Sequence, residues 1–242
     1  MPNADLAAQR ALLKLAETDR RADAAAHQRD ALPEIGVIAD GMRRIAELRE
    51  KAALSEVEVG DIDSAARKLD GEIDSVRARA DRDKERLAAG AGTPKEMENL
   101  QHEILSLARR QETLEDEALE LMERRESAAG GLDAVRGDLS DLTAQVDAAT
   151  VRRNDQWADI DAELARFTLQ RAAVVAEIPA DVMAIYERVR GAGKVAAAVL
   201  QGDRCGACGL SLDRASFEEI RAAAADTVPR CPECGALLVR NP

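Results

Sequence analysis

Between Pro33 and Pro179 the chain has one proline, Pro94, and on both sides of it apolar or small residues recur at alternating spacings of three and four. After Pro94 the series runs through Leu100, Leu107, Leu114, Leu121, Leu132 and Leu142 to Ala149, with Gln111 and Arg125 as its polar members. Before it, Ile62, Ala66, Leu69, Ile73, Val76, Ala80 and Leu87 keep the same rule. A sustained heptad of this kind specifies helices that bury a narrow seam against a partner helix. Composition agrees with a seam rather than a wide core. Apolar residues make up 46% of the 242 residues, yet there are only one Trp, one Tyr and two Phe to give a core bulk.

The segment Gly90-Ala91-Gly92-Thr93-Pro94-Lys95-Glu96 reads as the reversal between two such helices. Glycines end the first, Thr93 caps the second, Pro94 takes its first helical position, and Glu96 completes a capping box. Reflection about this turn places Leu69 opposite Leu114, Val76 opposite Leu107 and Ile62 opposite Leu121. It also places residue 5 opposite residue 178, so the arms account for residues 1–178.

The expected fold is therefore mainly α: a long antiparallel coiled-coil hairpin over 1–178, with its turn near 89–94. Pro33, with Gly36 and Gly41 nearby, predicts a kink or short break in the first arm. The seam of the second arm changes register near Thr150, so a bend at that height is expected, with a separate N-terminal helix folding back as a third strand as the alternative. Gly60 and Gly130-Gly131 are expected to be locally flexible, because glycine costs about 1 kcal/mol inside a helix.

From Pro179 the pattern changes, and a second domain is expected over 179–242. Asp181 to Arg190 reads as a short amphipathic helix, Gly191-Ala192-Gly193 as a loop and Val195 to Leu200 as a strand. Then come Cys205-Gly-Ala-Cys208-Gly209 and Cys231-Pro-Glu-Cys234-Gly235. Two residues between thiolates let one tight turn present both sulfurs to a tetrahedral ion, and the following glycine lets the backbone turn away beneath it. Two such turns make a closed four-sulfur site for one structural Zn²⁺, with iron in a rubredoxin-like site as the chief alternative. A redox dithiol would need a single CxxC in a βαβ setting, which is not the pattern here. With four thiolates filling the shell, the metal should stabilise the fold rather than activate water. His27 and His102 fall in predicted helices and are not needed as ligands.

The formal net charge of −12 opposes general attraction to nucleic acid. Arginine pairs such as Arg109-Arg110 and Arg124-Arg125 alternate with acidic residues, as on the solvated flank of a coiled coil. Arg188, Arg190 and Lys194, with Arg204 and Arg230 in the cysteine domain, are the residues placed to contact nucleic acid or a partner protein. No phosphate-binding glycine loop or nucleophile elbow is present. No apolar run is long enough to span a membrane and the N-terminus does not read as a signal peptide. A cytoplasmic protein, not an enzyme, is expected. A hairpin satisfies its own seam, so a monomer is expected.

The turn followed by Pro94-Lys95-Glu96-Met97-Glu98-Asn99-Leu100, the Tyr186-Glu187-Arg188 helix, Val195 to Leu200 and the two CxxCG pairs together resemble a bacterial family of coiled-coil hairpin proteins with a C-terminal C4-type zinc ribbon. The resemblance covers nearly the whole chain. It implies an adaptor or chaperone-like protein, in a family whose members are linked to transcription factors, flagellar or secretion components and nucleic acid. The family pattern after the last cysteine usually carries glycine, arginine, an aliphatic pair and an aromatic. Here it reads Gly235-Ala236-Leu237-Leu238-Val239-Arg240, which leaves fewer groups for phosphate contact or base stacking.

Overall fold

The computed structural model describes residues 2–90 and 92–240. Its elements run α1 (Leu6–Asp30), α2 (Pro33–Ala88), α3 (Pro94–Val175), α4 (Ala180–Gly191), β1 (Ala197–Gln201), β2 (Arg204–Cys205), α5 (Arg214–Ala222) and β3 (Leu237–Arg240). Helices α1 and α2 pack antiparallel to α3, and a small sheet with the four cysteines follows. The expected reversal near 89–94 includes Ala91, which lies outside the described residues. So do Met1 and, at the end of the expected 179–242 domain, Asn241 and Pro242. Beside Ala91, Gly90 and Gly92 take φ of 66° and 151°, which glycine tolerates. The capping box forms: Thr93 N donates to Glu96 Oε2 at 2.7 Å, and Glu96 N to Thr93 Oγ1 at 3.4 Å.

The chain divides into two compact units, one of residues 36–150 and the other of the residues up to Ile35 together with those from Val151 on. In the first unit the seam follows the reflected register near the turn and lies about one helical turn off it further along, at Ile45. Leu69, Ile73 and Val76 pack with Leu114, Ala118 and Leu121, and further along Ile45 packs with Leu142 and Val146. Ion pairs flank the seam, including Arg125 with Asp63 and Arg136 with Glu56, each at 2.7 Å. Their side chains are half exposed on the arginine side, so each pair contributes little on its own and serves register more than stability. Helix runs through Gly60 and Gly130-Gly131 without a break. Gly41 is buried: a Cβ there would lie 2.3 Å from Val146 Cγ2, so this glycine is a point of close helix approach rather than a helix breaker.

In the second unit α1 continues the hairpin along the end of α3 and does not fold back as a third strand. Ala4 and Ala8 share a core with Val174 and Ile178, close to the reflected positions. The first arm breaks at Ala31 and Leu32, as Pro33 requires, but α3 passes Thr150 without interruption, so only one arm is irregular. The break is packed rather than loose. Leu32 is buried with Ile160 and Phe167, and Trp157 Nε1 donates to Arg29 O at 3.1 Å, satisfying a carbonyl near the helix end. Arg29 and Arg153 lie 4.7 and 4.5 Å from the centre of the Trp157 ring.

The sheet order is β2-β1-β3, with β1 antiparallel to β2 and parallel to β3. Asp213 caps α5 by accepting from Ala215 N and Ser216 N at 2.9 Å. Arg240 accounts for the other end of α5, donating to the carbonyls of Ile220, Ala223, Ala224 and Thr227.

Candidate metal centre

The two cysteine turns have the same construction. In each, the glycine after the second cysteine donates to the carbonyl of the first: Gly209 N to Cys205 O at 2.8 Å, and Gly235 N to Cys231 O at 2.9 Å. In each, the first cysteine's N–H reaches the residue five positions on: Cys205 N to Leu210 O at 3.0 Å, and Cys231 N to Ala236 O at 2.8 Å. The glycines have φ of 74° and 81°, the left-handed conformation that lets the chain double back. That is the physical reason for CxxCG rather than CxxC alone.

The four Sγ atoms lie within 4.8 Å of one another, with Cys205 to Cys234 at 3.8 Å and Cys208 to Cys231 at 4.0 Å. A disulfide would need sulfurs about 2.05 Å apart. A tetrahedron with sulfur about 2.3 Å from its centre has edges of about 3.8 Å, so the spacing fits one metal ion held by four thiolates. Ala207 N donates to Cys205 Sγ at 3.4 Å, and the Leu210 and Ala236 N–H groups point at the sulfurs of Cys208 and Cys234. Such donors stabilise thiolate charge. The Leu210 N–H holds the exposed Cys208 thiol below its ordinary range, whereas desolvation pushes Cys205 up and Cys234 up to about 12. A buried and a half-buried thiol that resist ionisation are consistent with a site that depends on a cation to hold them as thiolates.

Gly206, between the ligands of the first turn, has its own role. Its N–H donates to Val199 O at 3.1 Å, and a Cβ there would stand 2.5 Å from that oxygen. The first turn is thereby held against β1, as the second is through Leu237 on β3. His27 and His102 are both exposed on helices, away from the cysteines in sequence, and take no part in the cluster.

The five basic residues do not act alike. Arg190 is bound to Asp19 at 2.8 Å and Asp23 at 3.0 Å. Arg230 donates to Gly235 O at 3.3 Å, bracing the second cysteine turn. Arg188, Lys194 and Arg204 are exposed. The Arg190 pairs belong to a network that sequence reasoning missed. Asp19, 4% exposed, accepts from Tyr186 Oη and Arg171 Nε, both at 2.9 Å, and Arg171 also pairs with Glu187. This network ties α1, α3 and α4 together. Burial and the Asp19 carboxylate push the Tyr186 phenol well above its ordinary range. The N-terminus is also stitched to the cysteine domain: Ala4 N donates to Asp226 O and Val228 N to Pro2 O, and the Gln9 amide reaches Ala4 O and Ala225 O. No local pattern in Asp19 or Gln9 signals partners so distant in sequence.

A helical hairpin joined to a small sheet fastened by four thiolates defines a coiled-coil protein with a zinc-ribbon type of head. Residues 15–194 match the CT398-like coiled coil hairpin domain and residues 204–238 the C4-type zinc ribbon domain, and the chain belongs to this CT398-like family. It is 38% identical over 237 residues to an uncharacterized protein of Mycobacterium tuberculosis, covering 98% of this chain and 97% of that one. An uncharacterized protein of Mycobacterium leprae is 28% identical over 182 residues, 75% of this chain and 78% of its own. Among solved structures, one from Mycobacterium smegmatis superposes with a TM-score of 0.87 at 34% identity, covering 99% of this chain and 100% of that chain. CT398 from Chlamydia trachomatis superposes at 0.70 with 16% identity over 97% and 98%, a likeness of fold.

Proposed function

We propose that this protein is a non-enzymatic adaptor of the reducing cytoplasm, in which the hairpin is a scaffold and the ribbon, fastened by one structural zinc ion, is the head that engages a partner protein. The observation that carries the reading is the pair of identical cysteine turns. Four thiolates complete a tetrahedral shell and leave no position for substrate or water, which favours a fastener over a reaction centre. Zinc is favoured over iron because the site needs only a tetrahedral cation that does not change oxidation state. Four unpaired thiols suit a reducing compartment.

Contact with RNA or DNA is the weaker reading. Arg190 and Arg230 are engaged within the chain, and a tetrathiolate zinc centre is itself negatively charged.

The test has two parts. Purified full-length protein should contain one zinc per chain, and substitution with Co²⁺ should give the spectrum of a tetrahedral tetrathiolate; bound iron with redox activity would overturn the zinc assignment. Affinity capture from the native cell should recover a partner with the intact chain and lose it with Cys205→Ser/Cys231→Ser, helical content being checked by circular dichroism. Equal recovery would place recognition outside the head. A salt-sensitive shift with mixed RNA and DNA, without a protein partner, would favour nucleic acid.

A further inference from the structure

Solvent reaches the four cysteines unequally. Cys205 and Cys231 are buried and Cys234 is half-buried, while Cys208 is exposed. A hollow of about 260 Å³, lined by Lys194, Val195 and Ala207, opens onto Cys208 and Cys234. Such a space admits a molecule of a few atoms, since a water occupies about 30 Å³ in the liquid. Behind Cys208, the shielded Cys231 Sγ stands 4.0 Å from its sulfur. One accessible thiolate beside a shielded one is the arrangement of a reacting and a resolving cysteine.

Cys231 is also the cysteine that the N-terminus is tied to. Just before it in the chain, Val228 N donates to Pro2 O at 2.9 Å, and Asp226 O accepts from Ala4 N at 2.7 Å. Asn3 and Thr227 form an antiparallel bridge between them, and the Gln9 amide reaches Ala225 O at 2.8 Å. Residues 2–4 thus lie as a strap along the segment that leads into the second cysteine turn. That segment has little slack: Val228 and Pro229 are buried, and Pro229 O accepts from Leu238 N at 2.8 Å. Ala4 and Val228 share one apolar core with Leu12, Leu15 and Leu237, so the strap covers surface that water would otherwise reach.

We infer that the cluster is a peroxide-sensitive fastener: oxidation of Cys208 and its closure onto Cys231 as a disulfide discharges the zinc and loosens the strap of residues 2–4 from the ribbon. In the first step the Cys208 thiolate attacks one oxygen of the peroxide, the O–O bond breaks, hydroxide leaves and the sulfur becomes a sulfenic acid. In the second, the Cys231 thiolate attacks that sulfur, the S–O bond breaks and a second hydroxide leaves. Two thiolates are oxidised and one peroxide is reduced. No electron comes from the metal, and two thiolates remain where four held it. Closing the sulfur pair from 4.0 Å to a bond of about 2.05 Å draws Cys231 towards the first turn, and the strap's hydrogen bonds a few residues away take up the displacement. Disulfides that form transiently as sensors are the kind a reducing cytoplasm permits. The inference rests on the zinc reading of the site and adds a regulation to it, whichever partner the head engages.

The experiment treats full-length zinc-loaded protein with hydrogen peroxide in the presence of a chromophoric chelator, against a peroxide-free control. Zinc should be released as peroxide is consumed, and peptide mapping should find Cys208 joined to Cys231. Dimedone present during the oxidation should label Cys208, and dithiothreitol with Zn²⁺ should restore the site. Cys208→His keeps a zinc ligand without an oxidisable sulfur and should release zinc about tenfold more slowly. If that variant does not hold zinc, the dimedone label and the peptide map of the wild-type chain decide. Hydrogen exchange read by NMR should show the Ala4 and Val228 amides exchanging about tenfold faster after oxidation, with the seam residue Leu114 unchanged. Four results would overturn the inference: zinc that stays bound while a free thiol in the same solution oxidises, a dimedone label on a buried cysteine instead, an oxidation that dithiothreitol and Zn²⁺ do not reverse, or Ala4 and Val228 amides that stay protected after the zinc has left. A purified chain without zinc would overturn the zinc reading as well, whereas zinc that withstands peroxide leaves that reading standing.

Discussion

Replacing Gly41 by alanine sets two ordinary rules against each other. Helix propensity alone makes Gly→Ala favourable by about 1 kcal/mol. The structure opposes it, because the new Cβ would lie 2.3 Å from Val146 Cγ2, where carbon atoms normally sit about 3.5–4 Å apart. Val146 is 5% exposed and β-branched, so its side chain has one favoured rotamer in a helix and little room to yield. Overpacking of this kind costs about 1–3 kcal/mol. The net expectation is a loss of about 0–2 kcal/mol, where an exposed helical glycine would show a gain. Gly60 and Gly71 supply the control, since a Cβ at either meets nothing within 4 Å, and Gly60→Ala should stabilise by up to about 1 kcal/mol. The decisive measurement is a double-mutant cycle with Val146→Ala, read by urea unfolding and far-UV circular dichroism. With the methyls of Val146 removed, Gly41→Ala should become favourable, giving a coupling of about 1–3 kcal/mol. Additive effects, with Gly41→Ala stabilising the wild-type chain as Gly60→Ala does, would refute the close approach.

Tyr186→Phe should lower stability by about 1.5–3 kcal/mol in the same assay, because it removes a buried hydrogen bond to the Asp19 carboxylate. The raised pKa of Tyr186 also predicts that the wild-type chain loses stability as pH rises above the ordinary tyrosine value of 10.0, because the unfolded chain releases that proton first; Tyr186→Phe should reduce this alkaline slope. Gly206→Ala should push the first cysteine turn off Val199 O and weaken metal retention, seen as faster zinc loss to a chelator than from the wild-type chain, with the hairpin's helical content unchanged. The Thr93 N–H holds the Glu96 carboxyl below its ordinary value of 4.5. Its contribution to the start of α3 is complete above that value and is lost as pH falls through the lowered native pKa, so amide exchange near Thr93 should rise on acidification and Glu96→Gln should flatten the dependence.

The hairpin was legible because its information is local and repeated. Most heptad positions from Leu100 to Ala149 carry the same instruction, and the turn around Pro94 is written in residues whose hydrogen bonds reach three positions along the chain. The cysteine site was legible for a related reason: each CxxCG closes on itself within five residues, so its geometry follows from its spelling. Glycine was the residue most easily misread. Gly41, Gly60, Gly130 and Gly131 look alike in sequence, yet only Gly41 faces a neighbour that leaves no room for a Cβ.

What sequence reading could not supply depends on groups brought together from distant parts of the chain. Asp19 meets Arg171, Tyr186 and Arg190, and Pro2 and Ala4 pair with residues of the ribbon, because packing α1 along the end of α3 carries the N-terminus to the cysteine domain. The same packing sets α1 beside β1 and makes a groove that neither segment has alone. Period and spacing encode contacts within a helix, a turn or a seam. A buried ion network and a groove between a helix and a sheet are properties of an arrangement, and they exist only once the chain has closed on itself.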